Sequence, residues 1–224
     1  MEPREVSGRT RIISFSGIDG AGKSTQIGTL VERLTVLDQR VQVIPFWDEV
    51  AMLTLIRESG GRALFKGDKG VGSPSAPIER RDKNVRSPLM TCVRLCFYLL
   101  DAVSLNLIVK RALSTDIDVV IFDRYIYDEL ANLPLQNRAV RAYINLLLKL
   151  VPRPDVAYVL DADPMQARTR KPEYPVEFLR VNRESYRVLS DLIGGMVAIR
   201  PMPIRDVERE VLRHALDKLS LTAV

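Results

Sequence analysis

Histidine, cysteine and tryptophan are scarce in this chain of 224 residues, which holds one His, two Cys and one Trp. The single histidine, His214, falls in a late helical pattern and reads as structural, so chemistry is left to lysine, arginine and carboxylates. Cys92 and Cys96 lie four apart in a stretch with helical spacing, where side chains run along one face and disulfide geometry is poor. That excludes a disulfide framework, and a reducing, cytoplasmic setting is expected. The opening MEPREVSGRTR holds no apolar leader core, and no run reaches the roughly 18 apolar residues of a membrane span. Neither secretion nor membrane insertion is expected.

What is present is ordinary in proportion. With 46% hydrophobic and 27% charged residues the composition excludes a disordered or collagen-like chain and supplies one core, so residues 1–224 read as a single domain. Lys and Arg number 33 against 28 Asp and Glu, a formal charge of +5. A modest basic excess suits a polyanion, either nucleic acid or a phosphorylated small molecule, and does not choose between them.

Short β-rich apolar runs alternate with longer helical periods, the pattern of an α/β fold with a parallel sheet covered by helices. Strands are expected at Arg11–Ser16, Val41–Phe46, Val119–Asp123, Val156–Leu160 and Met196–Ile199. Ile27, Leu30, Val31 and Leu34 fall at i, i+3, i+4, i+7 and give the helix after the first strand one buried stripe. Ser87-Pro88 opens a long apolar helix to about Leu113, and further helices are expected at Gln136–Leu150, Pro175–Ile193 and Ile204–Leu219. Residues 60–86, punctuated by seven glycines and prolines, are expected to form a mobile loop or partner surface.

Gly17-Ile18-Asp19-Gly20-Ala21-Gly22-Lys23-Ser24-Thr25 fits G-x-x-x-x-G-K-[ST], follows an expected strand and opens an expected helix. The glycines let backbone N–H groups turn inward around phosphate oxygens, and the helix N-terminus adds its positive end to the same anion site. Lys23 is placed to reach the β/γ-phosphates, and Ser24 supplies the hydroxyl for the Mg²⁺ ion bridging them. The implied cofactors are ATP and Mg²⁺. Asp123 and Arg124, at the carboxyl end of the third strand, stand where open α/β sheets bind ligands; Asp123 is a second candidate metal ligand, and Arg124 can clamp a phosphate. Arg168-Thr169-Arg170-Lys171-Pro172-Glu173-Tyr174, followed by Arg180, Arg183 and Arg187, reads as a basic lid centred on residues 163–174.

Taken together, Gly17–Thr25, Asp123-Arg124-Tyr125 and the arginine-bearing segment after Leu160-Asp161 resemble the thymidylate kinase family of nucleoside monophosphate kinases over nearly the whole chain. The resemblance implies a three-layer P-loop kinase fold, a central five-stranded parallel sheet flanked by helices. It also implies Mg²⁺-dependent transfer of the ATP γ-phosphoryl group to a nucleoside monophosphate, dTMP first, and a homodimer; the long apolar helix is either its interface or a helix buried within one subunit. Asp19 would then lie near the acceptor's sugar hydroxyl, Arg124 on the acceptor phosphate, and Arg168 or Arg170 on the migrating phosphoryl group. The chain departs from the family on the acceptor side. Pro45-Phe46-Trp47-Asp48-Glu49 replaces Arg-Glu-Pro-Gly-Gly, and Asp101 stands where an arginine is usual, with Arg94 earlier on that helix. Ile126-Tyr127-Asp128-Glu129-Leu130 replaces the Ala-Tyr-Gln pattern. The acceptor is thus expected to meet Trp47, Asp48, Arg94, Asp101, Arg124 and Tyr125.

Two other readings fit the same motif. In one the acceptor is a hydroxyl, of a deoxynucleoside or another small metabolite, and Asp48 or Glu49 takes its proton. In the other the chain is a nucleotide-dependent switch or ATPase that holds an acidic or nucleic-acid partner through Arg62, Lys66, Lys69, Arg80, Arg81 and Lys83. Nucleic acid ranks last, because aromatic residues do not interleave with the basic ones there.

Overall fold

The computed structural model describes residues 9–50 and 88–219. The expected loop at 60–86, and with it the six basic residues just named, lies outside the described residues. β1 (Arg11–Gly17) takes the middle of the sheet because every residue after Arg11 can be buried. β3 (Val119–Asp123) and β4 (Val156–Leu160) flank it, with β2 (Val41–Pro45) and β5 (Val197–Ile199) outside them, in the order β2-β3-β1-β4-β5. All four pairings are parallel, with Phe15 opposite Asp123 and Gly17 opposite Leu160. This is the five-stranded α/β sheet expected from the sequence.

Strand alternation divides the core into two layers. Ile13, Phe15, Ile121, Tyr158 and Leu160 face α1 (Lys23–Val36), which buries Ile27, Leu30 and Leu34, and the C-terminal helix Ile204–Leu219, which buries Val211 and Ala215. Ile12, Ile44, Val120, Phe122 and Val159 face the other way. There they meet α2 (Pro88–Leu113), α3 (Ile126–Leu130), α4 (Arg138–Leu150) and, after α5 (Pro164–Arg170), α6 (Val176–Ile193). The helix Ile204–Leu219 is α7.

Element ends differ from expectation for local reasons. Phe46 does not extend β2 but starts a π-helical turn, Phe46–Val50, whose Phe46 and Val50 are buried. Asn137 is not helical but caps α4, its side-chain oxygen accepting from the Ala139 N–H at 2.8 Å. Inside the expected lid, residues 164–170 form α5, with Pro164 in its first turn and Asp163 accepting from the N–H groups of Met165 and Gln166, each at 3.0 Å. α2 buries Tyr98, Ala102, Leu105, Val109 and Ala112 on one side, and leaves Cys92, Cys96, Leu99, Val103 and Leu107 exposed on the other. Among the described residues no helix is long and apolar enough to cross a membrane.

Candidate functional site

The carboxyl ends of β1, β3 and β4 meet at one edge, and the glycine-rich turn after β1 is shaped by what lies against it. Gly20, at φ 81°, sits so close to α5 that a Cβ added there would lie 2.2 Å from the Ala167 carbonyl oxygen. A Cβ on Gly17 would lie 2.4 Å from the Leu160 carbonyl oxygen. Both positions therefore exclude any side chain. Gly22, left-handed at φ 90°, brings no side chain to the first-turn N–H groups of α1, and they keep the capacity to bind an anion.

Lys23 is folded under this turn, its Nζ donating to the carbonyls of Gly17 at 2.8 Å and Ile18 at 3.0 Å. Burial lowers its pKa from 10.5 to about 8, and the Arg124 charge adds to the fall; Asp128, Asp19 and Asp123 oppose it. Ser24 and Thr25 are exposed on the first turn of α1. Asp123, half-buried, is near enough to Lys23 for its charge to register there. Mg²⁺ characteristically keeps several waters and takes one or two protein oxygens plus substrate phosphates, a demand that Ser24 and Asp123 fit.

Arg124 ends β3. Its N–H donates to the Phe15 carbonyl at 2.9 Å, and its φ of 71° is unusual for a non-glycine residue. The guanidinium spans two carboxylates, with Nη1 on Asp128 Oδ1 at 3.0 Å and Nη2 on Asp19 Oδ1. Burial works against the Arg124 charge, but Asp128 and Asp19 outweigh it and hold the group above its ordinary pKa. Asp19 also lies 3.9 Å from the Lys171 Nζ, itself 3.4 Å from Glu173. Asp128, 3% exposed, accepts in addition from Ser16 Oγ at 2.6 Å, the Tyr125 N–H at 3.2 Å and the Tyr186 hydroxyl at 2.7 Å.

Of the lid arginines, Arg170 reaches the glycine-rich turn, its Nη1 donating to the Gly20 carbonyl at 3.1 Å. Arg168 is half-buried on the same helix. Arg180 and Arg187 pair on the exposed side of α6 with Glu177 and Glu184, while Arg183 forks onto Asp161 at 2.5 and 2.6 Å. The expected basic cluster is thus divided: Arg170 meets the turn at the Gly20 carbonyl and Lys171 approaches it at Asp19.

The expected acceptor residues are dispersed. Trp47 is half-buried in the π-helical turn, edge-on to Phe46 at 5.3 Å, and Asp48 and Glu49 are exposed beside it. Arg94 stands on α2. Asp101 faces inward from α2 and is wholly buried. Tyr125, expected beside the acceptor, is instead a core residue: its ring packs on Phe122 and Tyr127, and its hydroxyl donates to the Pro152 carbonyl at 2.5 Å. Sequence reasoning missed Ser16, Asp128 and Tyr186 as members of the site, while it read Lys171 only as part of the basic lid. Only Asp128 left a signal, a carboxylate four residues after an arginine at a helix start.

No protein-family model and no curated protein matches the sequence. Among solved structures, thymidylate kinase from Ehrlichia chaffeensis is similar across 92% of this chain and 98% of that one, with a TM-score of 0.56 and 22% sequence identity. The likeness is one of fold: this chain has a thymidylate kinase-like fold.

Proposed function

We propose that this chain is a phosphotransferase that uses ATP and Mg²⁺ to phosphorylate a nucleoside monophosphate, dTMP being the first candidate. The observation that carries the reading is the convergence of Arg124 and Arg170 on the glycine-rich turn, Arg124 through Asp19 and Arg170 through the Gly20 carbonyl. Phosphoryl transfer needs little beyond alignment and neutralised charge, and an acceptor phosphate arrives already ionised, so no histidine or strong base is required. The backbone of Gly17–Thr25 would cradle the ATP phosphates, and Lys23 would leave the Gly17 and Ile18 carbonyls for the β/γ-phosphates. Ser24 and Asp123 would hold Mg²⁺, which when bound neutralises charge developing on the phosphate oxygens. Asp19 would lie near the acceptor's sugar, Arg124 on its phosphate, and Arg170, with Arg168 behind it, on the migrating group. Trp47, Asp48 and Arg94 remain the proposed wall around the acceptor, and Asp101, wholly buried, stands behind it. A cytoplasmic homodimer completes the proposal, the second copy covering the exposed apolar stripe of α2.

A second reading, a hydroxyl acceptor, is favoured by Asp48 and Glu49, exposed in the turn at the carboxyl end of β2. One panel tests both. ADP formation from ATP and Mg²⁺ is followed with nucleoside monophosphates, deoxynucleosides and small sugars, with Lys23→Ala as the blank. Turnover of a monophosphate that survives Asp48→Asn and Glu49→Gln within about threefold supports the leading reading. Turnover confined to hydroxyl acceptors, with a loss of about 10²-fold or more in one of those variants, supports the second. No acceptor-dependent turnover contradicts both.

A further inference from the structure

Asp128 is chemically saturated. A carboxylate offers about four lone-pair positions, and this one has four donors: Tyr186 and Arg124 on Oδ1, Ser16 and the Tyr125 N–H on Oδ2. Nothing is left over for a substrate or a proton-transfer step, so its role lies in what it holds. It holds the Nη1 edge of Arg124, in a buried position where a charge-assisted hydrogen bond is strong and hard to exchange. The Nη2 edge is different. Its partner Asp19 sits on the glycine-rich turn, is 14% exposed in its side chain, and has Lys171 of the lid segment 3.9 Å away as an alternative partner.

We infer that Asp128 and Tyr186 are positioning residues that fix the Nη1 edge of Arg124, leaving the Nη2 edge, now on Asp19, to the anionic group of the acceptor. The inference rests on the kinase reading and adds a line of communication to it. Tyr186 belongs to α6, the helix that follows the lid, and Arg183 one turn earlier forks onto Asp161 at the end of β4. These two side chains tie α6 to Asp128 on α3 and to the carboxyl end of β4, so that where α6 sits decides, through Asp128, where the guanidinium points. An acceptor that takes Nη2 displaces Asp19 toward Lys171, and the lid segment gains the carboxylate that Arg124 gives up.

The test is a double-mutant cycle on full-length protein, with the monophosphate that the wild type turns over. Tyr186→Phe keeps the ring and removes one donor. The acceptor KM is expected to rise about five- to tenfold, with the ATP KM unchanged and kcat within about twofold. In an Arg124→Lys background, which lacks the fork, Tyr186→Phe is expected to change the acceptor KM by less than twofold, because the two residues act as one unit. Asp128→Asn, which keeps the shape and loses the charge, is expected to raise the acceptor KM further than Tyr186→Phe does. A fall in melting temperature with no change in acceptor KM would make Tyr186 merely structural and overturn the inference. So would equal effects of Tyr186→Phe in the two backgrounds. A wild type without turnover of any monophosphate removes the kinase reading and the inference with it, whereas an active wild type with an indifferent Tyr186→Phe removes the inference alone.

Discussion

Lys23 shows how burial prepares a residue for its ligand. Its ammonium titrates near 8 in the folded chain and near 10.5 when unfolded, so between those values the unfolded state binds the extra proton and stability rises with pH. Below pH 8 the protonated, buried group costs the fold its full penalty, about 3 kcal/mol at most. Bound phosphates reverse the balance by favouring the charged form. ATP binding at pH 8 is therefore expected to take up part of a proton, seen calorimetrically as a binding heat that depends on the buffer's ionisation enthalpy and loses that dependence near pH 6.5. A buffer-independent heat at pH 8 would contradict it. Lys23 and its loop were legible because nine consecutive residues carry the signal. Tyr186 was not, because its contact with Asp128 spans 58 residues and no local pattern marks it.

The element that makes the site more than a nucleotide cradle is α5, and the contact that seats it is the approach of Ala167 to Gly20. Gly20→Ala meets both a left-handed backbone and the Ala167 carbonyl, whereas Gly22→Ala meets only the backbone strain, with open space around it. Gly22→Ala is expected to cost about 1 kcal/mol of stability and Gly20→Ala at least twice that, as read by denaturant unfolding. Similar losses in the two variants would mean that α5 does not rest on the loop. The long helices were readable from apolar spacing, and α4 and α7 match it to within two residues. α3 and α5 span five and seven residues, too few for a 3.6-residue period to register. For α5 the Asp163-Pro164 pair was the available cue, a cap followed by proline.

At the scale of the molecule, the parallel sheet was legible from alternating runs, but its order was not. Burial marks β1 as interior, yet only long-range pairing reveals that β3 and β4 flank it and bring Asp123, Arg124 and the lid to one edge. The apolar stripe of α2 was legible too, as a helix apolar on most sides. The structure divides it into a buried face and an exposed one on which Val103 is 50% and Leu107 63% exposed. If a second copy covers that face, Val103→Glu is expected to convert a dimer to a monomer in sedimentation experiments while leaving the fold intact; a monomeric wild type would contradict this. A single turnover with γ-labelled ATP follows the phosphoryl group itself. The label is expected on the acceptor monophosphate, converted to a diphosphate, in wild-type protein and not in Lys23→Ala; label released only as inorganic phosphate would make the chain an ATPase and contradict the account.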